Sequence, residues 1–193
     1  MKRVQMFLAG AFIAVGSLYA QTPASEWKVG VAKLKETIQA NPAQAAEEAG
    51  QMIKGKNKKN IELLVAIGEA YLEAGKIPEA QQYAALAKKA NGKSADAAVL
   101  EGDIALKQKN AGLASQKYEE AIYFNPRCAA AYLKFADIYK MANSSLAIEK
   151  LNQLKALQPS NTGVDKKLAE IYYLKNDLSL IHISEPTRLL SIS

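Results

Sequence analysis

Apolar and small residues recur at steps of three and four along most of the chain, which is the period of an amphipathic helix. The clearest stretch spans residues 61–74, and its stripe consists of Leu64, Ile67, Gly68 and Tyr71. Gly75 follows this stretch and Pro78 begins the next, in keeping with the preference for glycine after a helix and proline in its first turn. The pattern predicts two antiparallel helices joined by a short turn.

The same helix pair recurs with a period of about 34 residues. Gly68 and Gly102 are 34 residues apart, whereas Pro126 and Pro159 are 33 apart. One residue is therefore missing from the third unit, and we assign the loss to the turn near Asn143, where length matters least. The spacing predicts three repeats and the first helix of a fourth, at residues 61–94, 95–128, 129–161 and 162–177.

These offsets resemble the tetratricopeptide repeat, whose 34-residue pattern places Leu-Gly, tyrosine, alanine and proline at fixed positions. Two departures are Ala98, where a large residue is usual, and Gly92, where the closing proline is usual. The resemblance implies an all-α, right-handed superhelical solenoid of antiparallel helix pairs whose concave surface binds proteins.

Residues 21–60 fit the repeat poorly and are predicted to form an N-terminal capping helix pair. Ser25 is predicted to cap a helix that ends near Ala40. Asn41 and Pro42 are predicted to begin the second helix, and Gly55 to end it.

Residues 1–20 have the three parts of a secretory signal peptide. Lys2 and Arg3 are followed by an apolar run of 15 residues and by Ala20, a small residue at the predicted cleavage point. The run is shorter than the roughly 20 residues of a membrane-spanning helix, and an uncleaved membrane anchor is the alternative. We therefore expect a bacterial periplasmic or secreted protein that is cleaved after Ala20 and has no stable membrane insertion thereafter.

Residues 178–193 differ in composition from the alanine- and lysine-rich repeats. The stretch 178–188 resembles the translation of a transposase-end adapter used in sequencing libraries. We expect this tail to be non-native, and the native chain to continue beyond Asp177. A native terminal segment is the alternative.

Composition gives little support for catalysis or nucleic-acid binding. The net charge is +6, of which Lys2 and Arg3 contribute two, and the only histidine, His182, lies in the tail. Cys128 is the single cysteine, so it has no disulfide partner within the chain. Residues 50–57 resemble a phosphate-binding loop but lack its final serine or threonine. We predict no catalytic residue, metal site or cofactor, and no nucleic-acid partner.

An acidic residue follows the small residue of each first helix, and these acids are Glu69, Asp103, Asp137 and Glu170. The resemblance implies that this position faces the concave surface. Residues one turn away would flank the acids, namely Val65, Val99, Leu133, Leu72, Leu106 and Lys140. We expect an acidic groove with aliphatic walls that binds a basic and apolar peptide, and we expect neither Asp103 nor Asp137 in the core. The alternative is that the charges only keep an exposed helix face hydrated.

The predicted function is that of an exported scaffold or adaptor that binds a peptide segment of another protein. One alternative is the N-terminal interaction region of a longer envelope enzyme, or of a transport or assembly component, truncated in this sequence. A second is a structural factor that self-associates through its unfinished C-terminal repeat.

The signal-peptide hypothesis predicts that the mature protein begins at Gln21. Mass spectrometry of the N-terminal peptide from an envelope fraction should find Gln21, open or cyclised, because the peptidase cleaves after a small residue. Detection of an intact Met1 in that fraction would contradict the prediction.

Overall fold

The computed structural model describes the backbone of residues 24–189 and the side chains of residues 27–176. Over this range the regular secondary structure is entirely helical. The chain divides into two compact units, residues 1–58 and 59–193. The predicted signal peptide lies outside the described residues.

Unit 1 contains helices α1 (Ala24–Ala40) and α2 (Pro42–Met52), which pack against each other. Because α1 begins at Ala24, Ser25 lies within the helix. The prediction that Ser25 caps this helix is therefore wrong. Asn41 does cap α2, since its side chain accepts a hydrogen bond of 3.2 Å from the backbone N–H of Gln44.

A 3-10 helix (Gly55–Lys59) follows α2. Gly55 therefore begins this short helix, whereas α2 ends earlier, at Met52. The unit is stabilised by apolar burial, with Leu34 and Ile38 of α1 almost completely inaccessible to solvent.

Unit 2 contains seven helices among the described residues: α3 (Ile61–Glu73), α4 (Ile77–Ala90), α5 (Ala95–Lys107), α6 (Ala111–Phe124), α7 (Ala129–Tyr139), α8 (Ser144–Leu157) and α9 (Thr162–Leu189). The first helices start at the residues where the 34-residue period places the starts of its units. The interval between the starts of α7 and α8 is one residue shorter than in the preceding pairs, as the shorter period requires.

Each of α3, α5 and α7 packs against its own second helix, and the first helices also pack against one another in chain order. The second helices α4, α6 and α8 contact the first helix of the next repeat. This is the helix stacking of a repeat solenoid, in which each unit buries its apolar face only against its neighbours.

Four helices of unit 2, namely α3, α5, α6 and α8, begin after a short polar side chain. Asn60, Ser94, Asn110 and Asn143 each accept a hydrogen bond from the backbone N–H three residues further on. Each such bond satisfies one of the N–H groups that a helix start leaves without a partner. Cys128 occupies the corresponding position before α7 without a side-chain bond.

Helices α3 and α5 end in the same left-handed turn. Gly75 has a φ of +74° after α3, and Lys109 has a φ of +61° after α5. In both turns the next backbone N–H reaches back to the helix, with bonds of 2.8 Å from Lys76 to Tyr71 and 2.9 Å from Asn110 to Ala105. The geometry follows the repeat pattern even where lysine replaces glycine, at a cost in backbone strain.

A small residue on a first helix allows a neighbouring helix to come close. At Gly102 an added Cβ would overlap the ring of Tyr118 on the paired helix, which is completely buried. At Gly68 an added Cβ would overlap Leu100 of the next first helix and lie 3.4 Å from the Cβ of Tyr83, whose ring stacks on that of Tyr71 with centroids 5.6 Å apart. The corresponding Ala136 is also fully buried.

Helix α9 continues to Leu189, so the backbone is helical beyond Asp177. Asp177 is the last residue before the tail that is predicted to be non-native. Val164 and Ile171 anchor α9 in the core of unit 2. The side chains of residues 178–193, on which the hypothesis of a non-native tail depends, lie outside the described residues. None of the helices described is both long and apolar enough to cross a membrane.

Gly102→Ala should destabilise the protein by about 1–3 kcal/mol, because the new methyl group has to displace the buried ring of Tyr118. The shift in the midpoint of urea unfolding, followed by circular dichroism, would measure this effect.

Gly50→Ala is the matched control, because nothing lies within 4 Å of its added Cβ and Gly50 is within α2. Alanine should be neutral there or stabilise by up to about 1 kcal/mol. Equal destabilisation by both substitutions would contradict close helix approach at Gly102.

Candidate functional site

A concave site lies on the first helices of unit 2. We call it the first-helix groove, a cavity of about 450 Å³ lined by Glu69, Leu72, Glu73, Asp103, Leu106, Lys107 and Lys134. It draws its walls from α3, α5 and α7. Of the ten residues predicted for a peptide-binding surface, four line it, namely Glu69, Leu72, Asp103 and Leu106.

Asp103 is held in place from two sides. The buried Tyr118 donates a hydrogen bond of 2.7 Å to one carboxylate oxygen, and Lys134 of the next repeat lies 2.9 and 3.0 Å from the two oxygens. The carboxylate side chain is only 15% exposed. Asp103 is therefore largely covered without belonging to the core, and it accepts a hydrogen bond from the core residue Tyr118.

Asp137 and Glu170 belong to a second cluster with two lysines. Lys167 lies 2.8 Å from Asp137 and 2.7 Å from Glu170, and Lys140 lies 3.2 and 2.6 Å from the same two carboxylates. Hydrogen bonds from Lys140 and Lys167 lower the pKa of Glu170. The hydrogen bonds that Lys140 donates to Glu170 and Asp137 raise its own pKa. The two lysines thus offset the negative charges of the two carboxylates in this cluster.

The first-helix face therefore alternates in charge, whereas the sequence interpretation expected it to be acidic. The interpretation missed Lys134 and Lys167, which are 33 residues apart and each precede an acidic residue by three. This repeated spacing was the available signal, since residues three apart share one face of a helix. The corresponding position in the preceding repeat is Leu100, which is fully buried, so the lysine is specific to the later repeats.

The remaining predicted wall residues have little or no surface in the groove. Val65 and Val99 are 7% and 6% exposed and belong to the core. Leu133 is partly buried against the core cluster that includes Tyr132 and Leu151. Leu106, which is 37% exposed, is the exposed aliphatic residue of the groove, whereas Leu72 lines it at only 6% exposure.

The second helices carry a separate network of charges. Lys117 of α6 lies 2.7 Å from Glu101 of α5 and 2.9 Å from Glu120, while Lys88 of α4 lies 3.2 Å from Glu101. Burial lowers the pKa of Lys117, but its hydrogen bonds to both glutamates outweigh that effect and raise it. The network joins two repeats on the side of the second helices.

Metal-binding chemistry has no support in the described part of the chain, where no group of three or more histidine, cysteine, aspartate or glutamate side chains could hold an ion. Cys128 is buried, and burial raises the pKa of its thiol.

Comparison with known proteins identifies the fold. No protein-family model matches the chain, and no curated protein matches it. Among solved structures, a thermophilic tetratricopeptide-repeat protein from Thermus thermophilus is 17% identical with a TM-score of 0.57, and the match covers 79% of this chain and 84% of that one. A tetratricopeptide-repeat protein from Parabacteroides merdae is 18% identical with a TM-score of 0.55, over 80% of this chain and 61% of that one. This chain has the tetratricopeptide-repeat fold.

The tetratricopeptide-repeat fold is also supported by a likeness to MamA, with 19% identity and a TM-score of 0.53 over 79% of this chain and 84% of MamA. At these identities the likeness extends to the helix arrangement and not to the residues of the groove. The side chains of the first-helix groove are therefore interpreted from their own geometry.

Tyr118→Phe should lower the free energy of unfolding by about 1–2 kcal/mol at neutral pH, because Asp103 loses a charge-assisted hydrogen bond. Burial and Asp103 raise the pKa of Tyr118. The hydroxyl thus stabilises the fold below its ordinary pKa of about 10, and this contribution is lost as the pH rises beyond it.

Stability measured by urea unfolding from neutral to alkaline pH should therefore fall less steeply in the variant than in the wild type. Part of the decline should remain, because burial also raises the pKa of Tyr83 to about 12. Tyr123→Phe is the control, since Tyr123 is 82% exposed. If stability falls equally steeply with rising pH in the wild type and in Tyr118→Phe, the assigned role of the Tyr118 hydroxyl is wrong.

Proposed function

We propose that this protein is an exported tetratricopeptide-repeat scaffold that holds a segment of another protein in the first-helix groove. The observation that carries the proposal is the cavity itself, about 450 Å³ in volume, in which leucines and side chains of both charges lie together. Repeat solenoids use extended surfaces of this kind for binding proteins.

The groove favours a segment in which apolar and basic residues alternate. Leu106 offers an exposed apolar contact, while Glu69 and Glu73 add negative charge on the α3 side. Lys107 and Lys134 line the same groove, so a bound segment would meet side chains of both charges. Exposed ion pairs contribute only about 0.2–1 kcal/mol each, so charge would set register and association rate more than affinity.

Export is the second part of the proposal and is supported by the sequence of residues 1–20. Even in a periplasmic or secreted location, this sequence can form no internal disulfide, because Cys128 is its only cysteine. Stability then depends on apolar packing and on the ion-pair networks of unit 2.

Selection of displayed peptides of about twelve residues on the purified protein would test the groove, since an extended segment of that length can span several repeats. We expect enrichment of peptides with alternating basic and apolar residues, and their binding should weaken as salt rises. Leu106→Asp should reduce their affinity at least about tenfold, because it places a charge in the apolar wall.

Leu157→Asp is a matched control on α8, because Leu157 is 40% exposed and Leu106 is 37% exposed. The control should leave affinity unchanged. Enriched peptides that bind Leu106→Asp as tightly as the wild type would place the binding surface elsewhere.

A further inference from the structure

Lys107 brings a positive charge to the first-helix groove that no other described residue compensates. Its side chain lines the cavity and is exposed, and it lies in the last turn of α5. Within the described part of the chain its ammonium group has neither an ion pair nor a hydrogen bond. The groove therefore contains one charged group that is available to a ligand.

The absence of a partner for Lys107 has a structural cause. Asp103 precedes Lys107 by four residues on α5, and an acid at this spacing is normally placed to pair with the lysine one turn later. One oxygen of Asp103 instead accepts a hydrogen bond of 2.7 Å from Tyr118, and Lys134 lies 2.9 and 3.0 Å from the two oxygens. Because Asp103 holds these two partners, it leaves the charge of Lys107 unpaired.

An exposed apolar residue lies next to this charge. Leu106 precedes Lys107 in sequence, lines the same groove and is 37% exposed. Glu69 and Glu73 belong to α3, so the acidic part of the groove is on a different helix. On α5 the groove therefore offers an apolar contact and a positive charge side by side.

We infer that the segment bound in the groove contains, among its basic and apolar residues, one acidic residue that pairs with Lys107 and is adjacent to the apolar residue packed on Leu106. The inference rests on the proposed function and names a side chain that the groove selects. Because α7 also lines the groove through Lys134, a segment that spans the groove continues past Lys107. The pairing carboxylate therefore belongs to a side chain and not to a chain end.

Selection of one displayed peptide library on three proteins would test the inference: the wild type, Lys107→Glu and the control Lys89→Glu. Lys89 is also exposed and lies in the last turn of α4, so the two substitutions reverse the same charge at the same position of a helix. The wild type and Lys89→Glu should enrich an acidic residue next to an apolar one. Lys107→Glu should enrich a basic residue there instead.

An enriched peptide, synthesised with both ends blocked, would then be compared with versions in which glutamine or lysine replaces its acidic residue. Fluorescence anisotropy at low salt should show that the wild type binds the acidic peptide up to about fivefold more tightly than the glutamine version, and the lysine version least tightly. Lys107→Glu should reverse this order, as expected where the two charges meet. Circular dichroism would show that all variants remain folded.

The possible outcomes separate this inference from the proposed function. Peptides that require Leu106 but contain no such acid, or that keep the same order of affinity with Lys107→Glu, would overturn the inference and leave the groove as the binding surface. Reversal of the order by Lys89→Glu would also overturn it, because the effect would then be one of net charge. A wild type that enriches no peptide, or only peptides that bind Leu106→Asp as tightly, would refute the proposed function as well.

Discussion

Helices α5 and α6 come close because α5 carries no side chain at their point of contact, Gly102. At Gly102 the ring of Tyr118 occupies the space that a larger residue would fill. The ring is fully buried, so a large apolar area is removed from water at this one contact. The position of α6 on α5, and hence of the next first helix, follows from that fit.

The same tyrosine connects the core with the groove. Its ring packs against Gly102, while its hydroxyl reaches Asp103 on the next residue of α5. Asp103 in turn holds Lys134 of the following repeat. A single line of contacts therefore runs from the interior of one pair to the surface of the next. Groove residues consequently differ in their roles, because Leu106 can change without disturbing this line and Asp103 cannot.

Much of the fold could be predicted because the repeat depends on local signals. Glycine and alanine at the close approach, asparagine or serine before a helix, and a 34-residue period are all visible within one unit. Ser25 was misplaced because Ala24 already belongs to α1, and the ends of a helix are defined only to within one or two residues.

The candidate site could be predicted only in part because its charges are paired across repeats. Lys134 and Asp103 are far apart in sequence and meet only when α7 packs beside α5. The burial of Val65 and Val99 likewise depends on how neighbouring helices overlap. The pattern within one helix identified the face that carries the acids, but it could not show which neighbours would neutralise them.

The main helix contacts of unit 2 never extend beyond the adjacent repeat. Opening of such a stack can therefore proceed one repeat at a time, and amide hydrogens at its ends should exchange with solvent sooner than those of α5. A ligand in the groove would touch α3, α5 and α7 together. A bound ligand would therefore make three separately opening repeats open together. Binding would then change the amide exchange rates even of helices that the ligand does not contact.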